Sequence, residues 1–200
     1  MENCKTCSLL CDLHTHSTYS DGTLTPEALI ELALELRLGA VALTDHNTVA
    51  GCTRFAAAAA GKPIHAVCGT EFSADLEDEE LHLLGLFLPP QSFDEVTAFA
   101  AERNAMKESS NRQTIENLRA AGFDISYDEL CAAFPGIFRN RSHIAQLLIR
   151  KGIVQTVDEA FRKLLDADCG FYIRPRNPGF FQTIRQIKAW GGVAVWAHPL

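Results

Sequence analysis

The sequence predicts an α/β fold, and three observations carry that prediction. Short apolar runs alternate with segments of helical periodicity through the first half of the chain, the pattern of repeated βαβ units. The runs are continuous rather than alternating, as expected of parallel strands buried on both faces. Polar residues able to do chemistry gather at the C-terminal ends of these runs or just beyond, where open and barrel α/β proteins build their sites.

Taken in order, the opening stretch Cys11-Asp12-Leu13-His14-Thr15-His16 reads as a strand. Side chains two apart point the same way, so His14 and His16 present two imidazoles to one place. The polar run that follows ends in Asp21-Gly22, a turn signal that can fold the Asp21 carboxylate back toward them. Thr25-Pro26-Glu27 opens a helix with a cap, a proline at the first position and acid in the first turn. Leu29, Ile30, Leu32, Ala33 and Leu36 recur at helical spacing, and Gly39 stops them. Ala40-Val41-Ala42-Leu43 is the second strand, ending in Thr44-Asp45-His46-Asn47. The alanine-rich segment 55–60 is a second helix. Residues 63–68 form a third strand with Gly69-Thr70-Glu71-Phe72 at its end, and the acidic run 75–80 reads as an exposed turn. Residues 81–88 form a fourth strand, stopped by Pro89-Pro90.

Helical patterns then dominate, over 93–121, 127–134, 142–151 and 157–165, so 100–170 is expected to be a mostly helical insertion in the α/β frame. Gly170 to Gly179 is an Arg- and Pro-rich loop. A helix over 183–190 and a strand over 192–196 follow, and Ala197-His198-Pro199 marks the strand's end.

Composition narrows the class. At 200 residues, with 47% hydrophobic and 22% charged content, the chain reads as one globular domain with an insertion. It has neither a bilayer-length apolar run nor a signal peptide, and the cytoplasm is the expected location. Seven cysteines, an odd and scattered number, suit free thiols in a reducing compartment. Cys4, Cys7 and Cys11 form the one local cluster, with no second closely spaced pair to complete a thiolate zinc site. The net charge of −7 argues against a protein that coats nucleic acid. Its distribution is uneven: residues 1–100 hold 4 Lys and Arg against 15 Asp and Glu, and residues 101–200 hold 14 against 10. The first half therefore suits cations and the second suits anions.

The candidate constellation is His14, His16, Asp21, His46, Glu71 and His82, with His143 and His198. Six of the seven histidines are in it; His65, near the start of a strand, is expected to be structural. Imidazole and carboxylate donors with few thiolates suit Mn²⁺, Fe²⁺ or Zn²⁺.

Asp-Leu-His-Thr-His-Ser-x-x-Ser-Asp-Gly, then Thr-Asp-His, Gly-x-Glu, a strand histidine and Ala-His-Pro resemble the PHP (polymerase and histidinol phosphatase) superfamily of metal-dependent phosphoesterases. The resemblance runs over about 9–90 and 190–200. The helical insertion and Asn140-Arg141-Ser142-His143 make it more similar to the branch of stand-alone nucleotide phosphatases and 5′-3′ exoribonucleases than to histidinol phosphatase. It implies a distorted (β/α)7 barrel, with 9–99 as its N-terminal part, 100–170 as the helical insertion and 171–200 as the return to the barrel. It also implies two or three divalent metals: one on His14, His16 and Glu71, a second on Glu71 as a bridge with His82 and His143, and a third on Asp21 and His46. Family members complete the first and third sites with a late Asp-x-His that these 200 residues do not contain. The chain is therefore expected to be incomplete at its C-terminus, and on its own poorly soluble or weakly active.

The chemistry so implied is hydrolysis of a phosphate ester of a nucleotide, or of a short 5′-phosphorylated RNA or DNA, by a hydroxide bridging two metals. Arg141 is expected to fork onto the phosphate, and His198 to contact it or protonate the leaving group. Arg174 and Arg176 are candidates for a second phosphate or a nucleic-acid backbone. The expected partner is a small phosphorylated substrate or short nucleic acid, with no membrane and no obligate protein partner. Two rivals stand beside this reading: an inactive PHP-like metal-binding module with a structural or regulatory role, and an amidohydrolase-type hydrolase, whose barrels also open with His-x-His.

Overall fold

The structure, a computed structural model, describes residues 10–199; Cys4 and Cys7 of the N-terminal cysteine cluster lie outside them. The chain divides into two compact units, one formed by residues up to Ala100 together with those from Asn177 on, the other by Ala101–Arg176.

Among the described residues, the first unit holds six strands in two three-stranded sheets. β1 (Cys11–Thr15), β2 (Ala40–Leu43) and β3 (His65–Cys68) pair in parallel in that order. α1 (Pro26–Glu35) and α2 (Cys52–Ala59) make the crossovers. Thr25 caps α1 as the sequence predicts, its side chain accepting from the Ala28 amide. α2 begins three residues before the predicted Phe55. β4 (Thr70–Leu76), β5 (Glu79–Leu86) and β6 (Val193–Trp196) form the second sheet, and it is antiparallel.

The second sheet corrects the sequence reading at two points. The run 75–80 is not a free exposed turn, because Asp75 and Leu76 end β4, Glu79 begins β5 and only Glu77 and Asp78 turn the hairpin. Glu77 takes the left-handed conformation that so short a connection demands (φ 54°). Glu71 is accordingly the second residue of a strand, not part of a loop beyond one. The βαβ pattern therefore ends at β3.

Gly69 carries the chain from one sheet to the other, and a Cβ there would lie 2.5 Å from the Gly85 carbonyl oxygen, closer than any side chain tolerates. The sheets also meet through a parallel bridge between His46 and Glu71, in which the Asn47 amide donates to the Glu71 carbonyl and the Glu71 amide to that of Asp45. Beneath them Ile30, Leu43, Phe55, Phe72, Leu83 and Ile187 are sealed from solvent. Burying side chains of this size contributes roughly 1.5–3 kcal/mol each. Phe72 also packs against Phe99 and Trp190, whose indole N–H donates to Glu95 (3.1 Å).

α3 (Phe93–Ala120) runs from the first unit into the second. There α4 (Tyr127–Ala133), α5 (Arg141–Arg150) and α6 (Val157–Ala160), which continues as a π-helical turn over Phe161–Leu165, enclose a separate apolar core. Ile115, Leu118, Leu130, Ile144, Leu148 and Leu165 are at its centre. α7 (Phe180–Ala189) belongs to the first unit and starts three residues earlier than predicted. Before it, the Asn177 amide and side chain both bond to the Asp75 carboxylate (2.9 and 2.7 Å), pinning the returning chain to β4.

Candidate metal centre

Glu71 is the hub. Its side chain is 1% exposed, and both carboxylate oxygens face imidazole nitrogens. Toward Oε2 point His14 Nε2 (3.0 Å), His16 Nε2 (3.1 Å) and His46 Nδ1 (3.3 Å). Toward Oε1 point His82 Nδ1 (2.8 Å) and His198 Nε2 (3.1 Å).

Each element delivers its side chain for a local reason. His14 and His16 lie two apart at the end of β1, where Thr15 faces away to donate to the Ala42 carbonyl (2.6 Å). His46 follows β2, and Asn47 turns the chain with φ 51°, a conformation asparagine tolerates. On the second sheet Glu71 pairs with Leu84 and Ser73 with His82. Glu71 and His82 are thus diagonal neighbours on one face, within reach of each other. The Ala197 amide donates to the His82 carbonyl (3.0 Å), placing His198 beside that ring. His198 has φ 35°, an uncommon backbone for a non-glycine residue.

Asp21 returns as the turn signal implied: its oxygens lie 3.7 Å from His16 Nδ1 and 3.6 Å from His46 Nε2. What holds that turn is Asp45, which the sequence reading left without a role. Its buried carboxylate accepts from the Ser17 amide (2.7 Å), the Ser17 hydroxyl (2.6 Å) and the Ser20 hydroxyl (2.6 Å). The signal was present, since a carboxylate between Thr44 and His46 at a buried strand end needs donors, and a serine-rich loop supplies them. Gly22 closes the turn, where a Cβ would meet the His16 carbonyl oxygen at 2.2 Å.

The electrostatics follow from this crowding. Burial alone would push the Glu71 carboxyl up, but hydrogen bonds from His14, His16 and His82 and the charge of His46 hold it well below the usual carboxylate range. For His16, burial pulls the ring down, while the Glu71 hydrogen bond and the Asp21, Glu71 and Asp45 charges outweigh it and raise it.

The donor set fits a cation. His14 Nε2, His16 Nε2 and Glu71 Oε2 form a triangle with sides of 3.0, 3.1 and 3.2 Å. A tetrahedral or octahedral ion with bonds of about 2.0–2.2 Å spaces its neighbouring ligands about 2.8–3.6 Å apart. Two further triads, His46-Glu71-His82 and His16-Asp21-His46, also bring ligand atoms within 4.8 Å of one another. The first unit thus brings together His14, His16, Asp21, His46, Glu71, His82 and His198. His65 is not among them; it sits exposed at the first position of β3.

The remaining candidates belong to the second unit. His143 is buried at the third position of α5, and its Nδ1 accepts the Asn140 amide (2.9 Å) while the Asn140 side chain accepts the His143 amide, a reciprocal helix cap. Arg141 lies over the Tyr172 ring, 4.2 Å from its centroid. Arg174 and Arg176 line a cavity taken up below.

Comparison with known proteins shows what the chain is similar to. Residues 12–173 match the PHP domain family model. The chain is 31% identical over 194 residues to the 5′-3′ exoribonuclease Rnm of Salmonella typhimurium, covering 96% of this chain and 66% of that protein. It is 31% identical over 204 residues to a 3′,5′-nucleoside bisphosphate phosphatase of Chromobacterium violaceum, covering 94% and 66%. A solved structure described as a metal-dependent phosphoesterase, from Bifidobacterium adolescentis, superposes with a TM-score of 0.87 at 31% identity over 94% of this chain and 66% of that one. The chain thus spans about two thirds of the length of these proteins. A family match over most of the sequence, together with relatives 31% identical over nearly all of it, leads to one conclusion: the chain belongs to the PHP domain family.

Proposed function

We propose that this chain carries the metal centre of a metal-dependent phosphoesterase that hydrolyses a phosphate ester of a nucleotide or of a short 5′-phosphorylated RNA or DNA. The observation that carries the reading is Glu71, a buried carboxylate whose two oxygens are shared among five imidazoles. A carboxylate with occupied neighbours on both oxygens suits a bridge between two cations. Three overlapping triads suit two or three ions, and their nitrogen and oxygen donors suit Mn²⁺, Fe²⁺ or Zn²⁺. When bound, such cations neutralise charge building on the phosphoryl oxygens and make water a nucleophile near neutral pH.

The chain's own groups supply the rest. His14 and His16 hold one side of the Glu71 carboxylate and His82 the other, while Asp21 faces the remaining nitrogen of His16 and favours one tautomer. Asp45 fixes the loop that carries Asp21. His198 is the most solvent-open member at 62%, so it is placed to meet a substrate oxygen as well as Glu71.

For a third ligand beside Glu71 and His82 we favour His198, whose Nε2 lies 3.1 Å from Glu71 Oε1. A neutral imidazole that accepts at Nδ1 keeps its proton on Nε2, and His143 Nδ1 accepts the Asn140 amide. That tautomer offers an N–H to an anion, which supports His143 as a phosphate donor. Arg141 and His143 are accordingly proposed as phosphate ligands. The test is metal content of His198→Ala against His143→Gln, in which glutamine can keep the helix cap. Metal is expected to fall in the first and hold in the second; the reverse pattern would restore His143 as the ligand.

The function is tested by assaying p-nitrophenyl phosphate, a 3′,5′-nucleoside bisphosphate, a 5′-phosphorylated oligonucleotide and a lactam panel with and without added divalent metal. Metal-dependent turnover of the phosphate esters, lost in Glu71→Ala, is the expected result. Metal uptake with no ester hydrolysed would favour the binding-module reading, and turnover of lactams alone the amidohydrolase one.

A further inference from the structure

The helical unit contains a pocket whose lining holds no histidine. On α3, Ser110, Thr114 and Asn117 share one face. They hold the backbone of the segment 171–173: Asn117 Nδ2 donates to the Phe171 carbonyl (2.9 Å), the Ile173 amide donates to Thr114 Oγ1 (3.2 Å), and the Ser110 hydroxyl donates to the Ile173 carbonyl. Tyr172 is fixed in turn beneath Arg141. Arg174-Pro175-Arg176 follows directly, with Pro175 buried and its φ locked by its ring. Both arginines therefore leave a backbone that is tied down, not a free loop.

Between this segment and α3 lies an open cavity of about 430 Å³. Met106, Ser109 and Gln113 form one side, and Ile173, Arg174 and Arg176 the other. No carboxylate lines it. Its apolar surface comes from Met106, Ile173 and Pro175, its neutral polar groups from serine and glutamine, and its charge is wholly positive.

We infer that this pocket binds a mononucleotide. The phosphate sits on the Arg174 and Arg176 guanidinium groups, which match phosphate oxygens in shape and charge. The base lies on Met106, Ile173 and Pro175, and Ser109 and Gln113 meet its polar edge or the ribose hydroxyls. The volume lies in the range of small-molecule sites. The inference rests on the proposed phosphoesterase reading only for the choice of a nucleotide as ligand, since binding here requires no turnover.

The experiment is calorimetric titration of the whole chain with AMP, adenosine and inorganic phosphate. AMP is expected to saturate one site at least about tenfold more tightly than either part alone, because the pocket holds both ends of it. Arg174→Ala and Arg176→Ala are each expected to weaken AMP binding about tenfold or more, with partial recovery in the lysine variants. Glu71→Ala, or His82→Ala should the former not fold, is expected to bind AMP as the unaltered chain does. Binding of AMP no tighter than phosphate, or lost in Glu71→Ala and kept in both folded arginine variants, would overturn the inference. Hydrolysis of p-nitrophenyl phosphate is followed in parallel to separate the two readings. AMP binding with none of the phosphate esters named above hydrolysed removes the phosphoesterase reading and supports the pocket; hydrolysis without AMP binding does the opposite.

Discussion

The two sheets of the first unit contribute to the same centre by different means. The parallel sheet delivers His14, His16, Asp21 and His46 from the C-terminal ends of β1 and β2, where the chain leaves the hydrogen-bond ladder and side chains are free to converge. The antiparallel sheet delivers Glu71 and His82 from within paired strands, with register and not strand ends deciding their position, and His198 from just beyond β6. Strand ends gather ligands by topology alone, whereas mid-strand ligands need a particular register. A one-residue slip of β4 against β5 would turn Glu71 to the opposite face.

The largest expected effect comes from the residue on which side chains of both sheets converge. Glu71→Ala removes the acceptor on which all five imidazoles converge. Metal content measured by elemental analysis is expected to collapse, and turnover of any phosphate ester to fall by at least about 1000-fold. In the unaltered chain, saturating metal is expected to raise the unfolding midpoint, by a stabilisation of about 4 kcal/mol at a thousandfold excess over Kd. Glu71→Ala should show no such rise. Retained metal in that variant would mean that the sheets bind ions separately.

A smaller effect distinguishes the two sheets. His14→Ala leaves the Oε1 side of Glu71 intact and His82→Ala leaves the Oε2 side, so each is expected to lose part of the bound metal, with turnover down about 100-fold. Loss of all metal from either variant would show that the two sides do not load independently.

How much of this was legible beforehand follows the same division. His14, His16, Asp21 and His46 could be read as candidates because polar side chains at strand ends announce themselves as short motifs after an apolar run. Glu71 and His82 were recognised as residues but not as a pair across a hairpin. Thr70–Leu76 does alternate polar and apolar side chains, Glu71, Ser73 and Asp75 against Phe72, Ala74 and Leu76. The acidic run beyond it masked that alternation, and the two-residue link at Glu77-Asp78 was taken for open loop when so short a connection allows only antiparallel pairing. The cap made by Asn140 and His143 was hidden too, since a histidine at the third helical position gives no sign of which nitrogen is engaged. Asp45 was quoted within Thr-Asp-His yet given no role, because its partners Ser17 and Ser20 meet it only once β1 and β2 are paired.

Asp45→Asn tests that hidden support. The variant keeps the size of the side chain but loses the charge and one acceptor oxygen that take three hydrogen bonds from the 17–20 loop. The loop is expected to loosen, Asp21 to lose its approach to His16 and His46, and metal affinity or turnover to drop by about 10–100-fold. Unchanged affinity would reduce Asp45 to a structural group.

The last test touches the same loop through its backbone. Gly22→Ala places a methyl where the His16 carbonyl oxygen already lies 2.2 Å away, so the turn must open or His16 must move. The Gly22 amide also donates to the Ser17 carbonyl (3.0 Å), a bond that any opening would stretch. Because Glu71 and His82 are held by the other sheet, the Oε1 side should load metal normally while the Asp21 side weakens, with turnover down by about tenfold. Comparing metal stoichiometry in Gly22→Ala and His82→Ala therefore asks whether the parallel sheet's ligands can be disturbed alone. Equal losses on both sides would mean that the 17–22 turn braces the whole centre and not only its own edge.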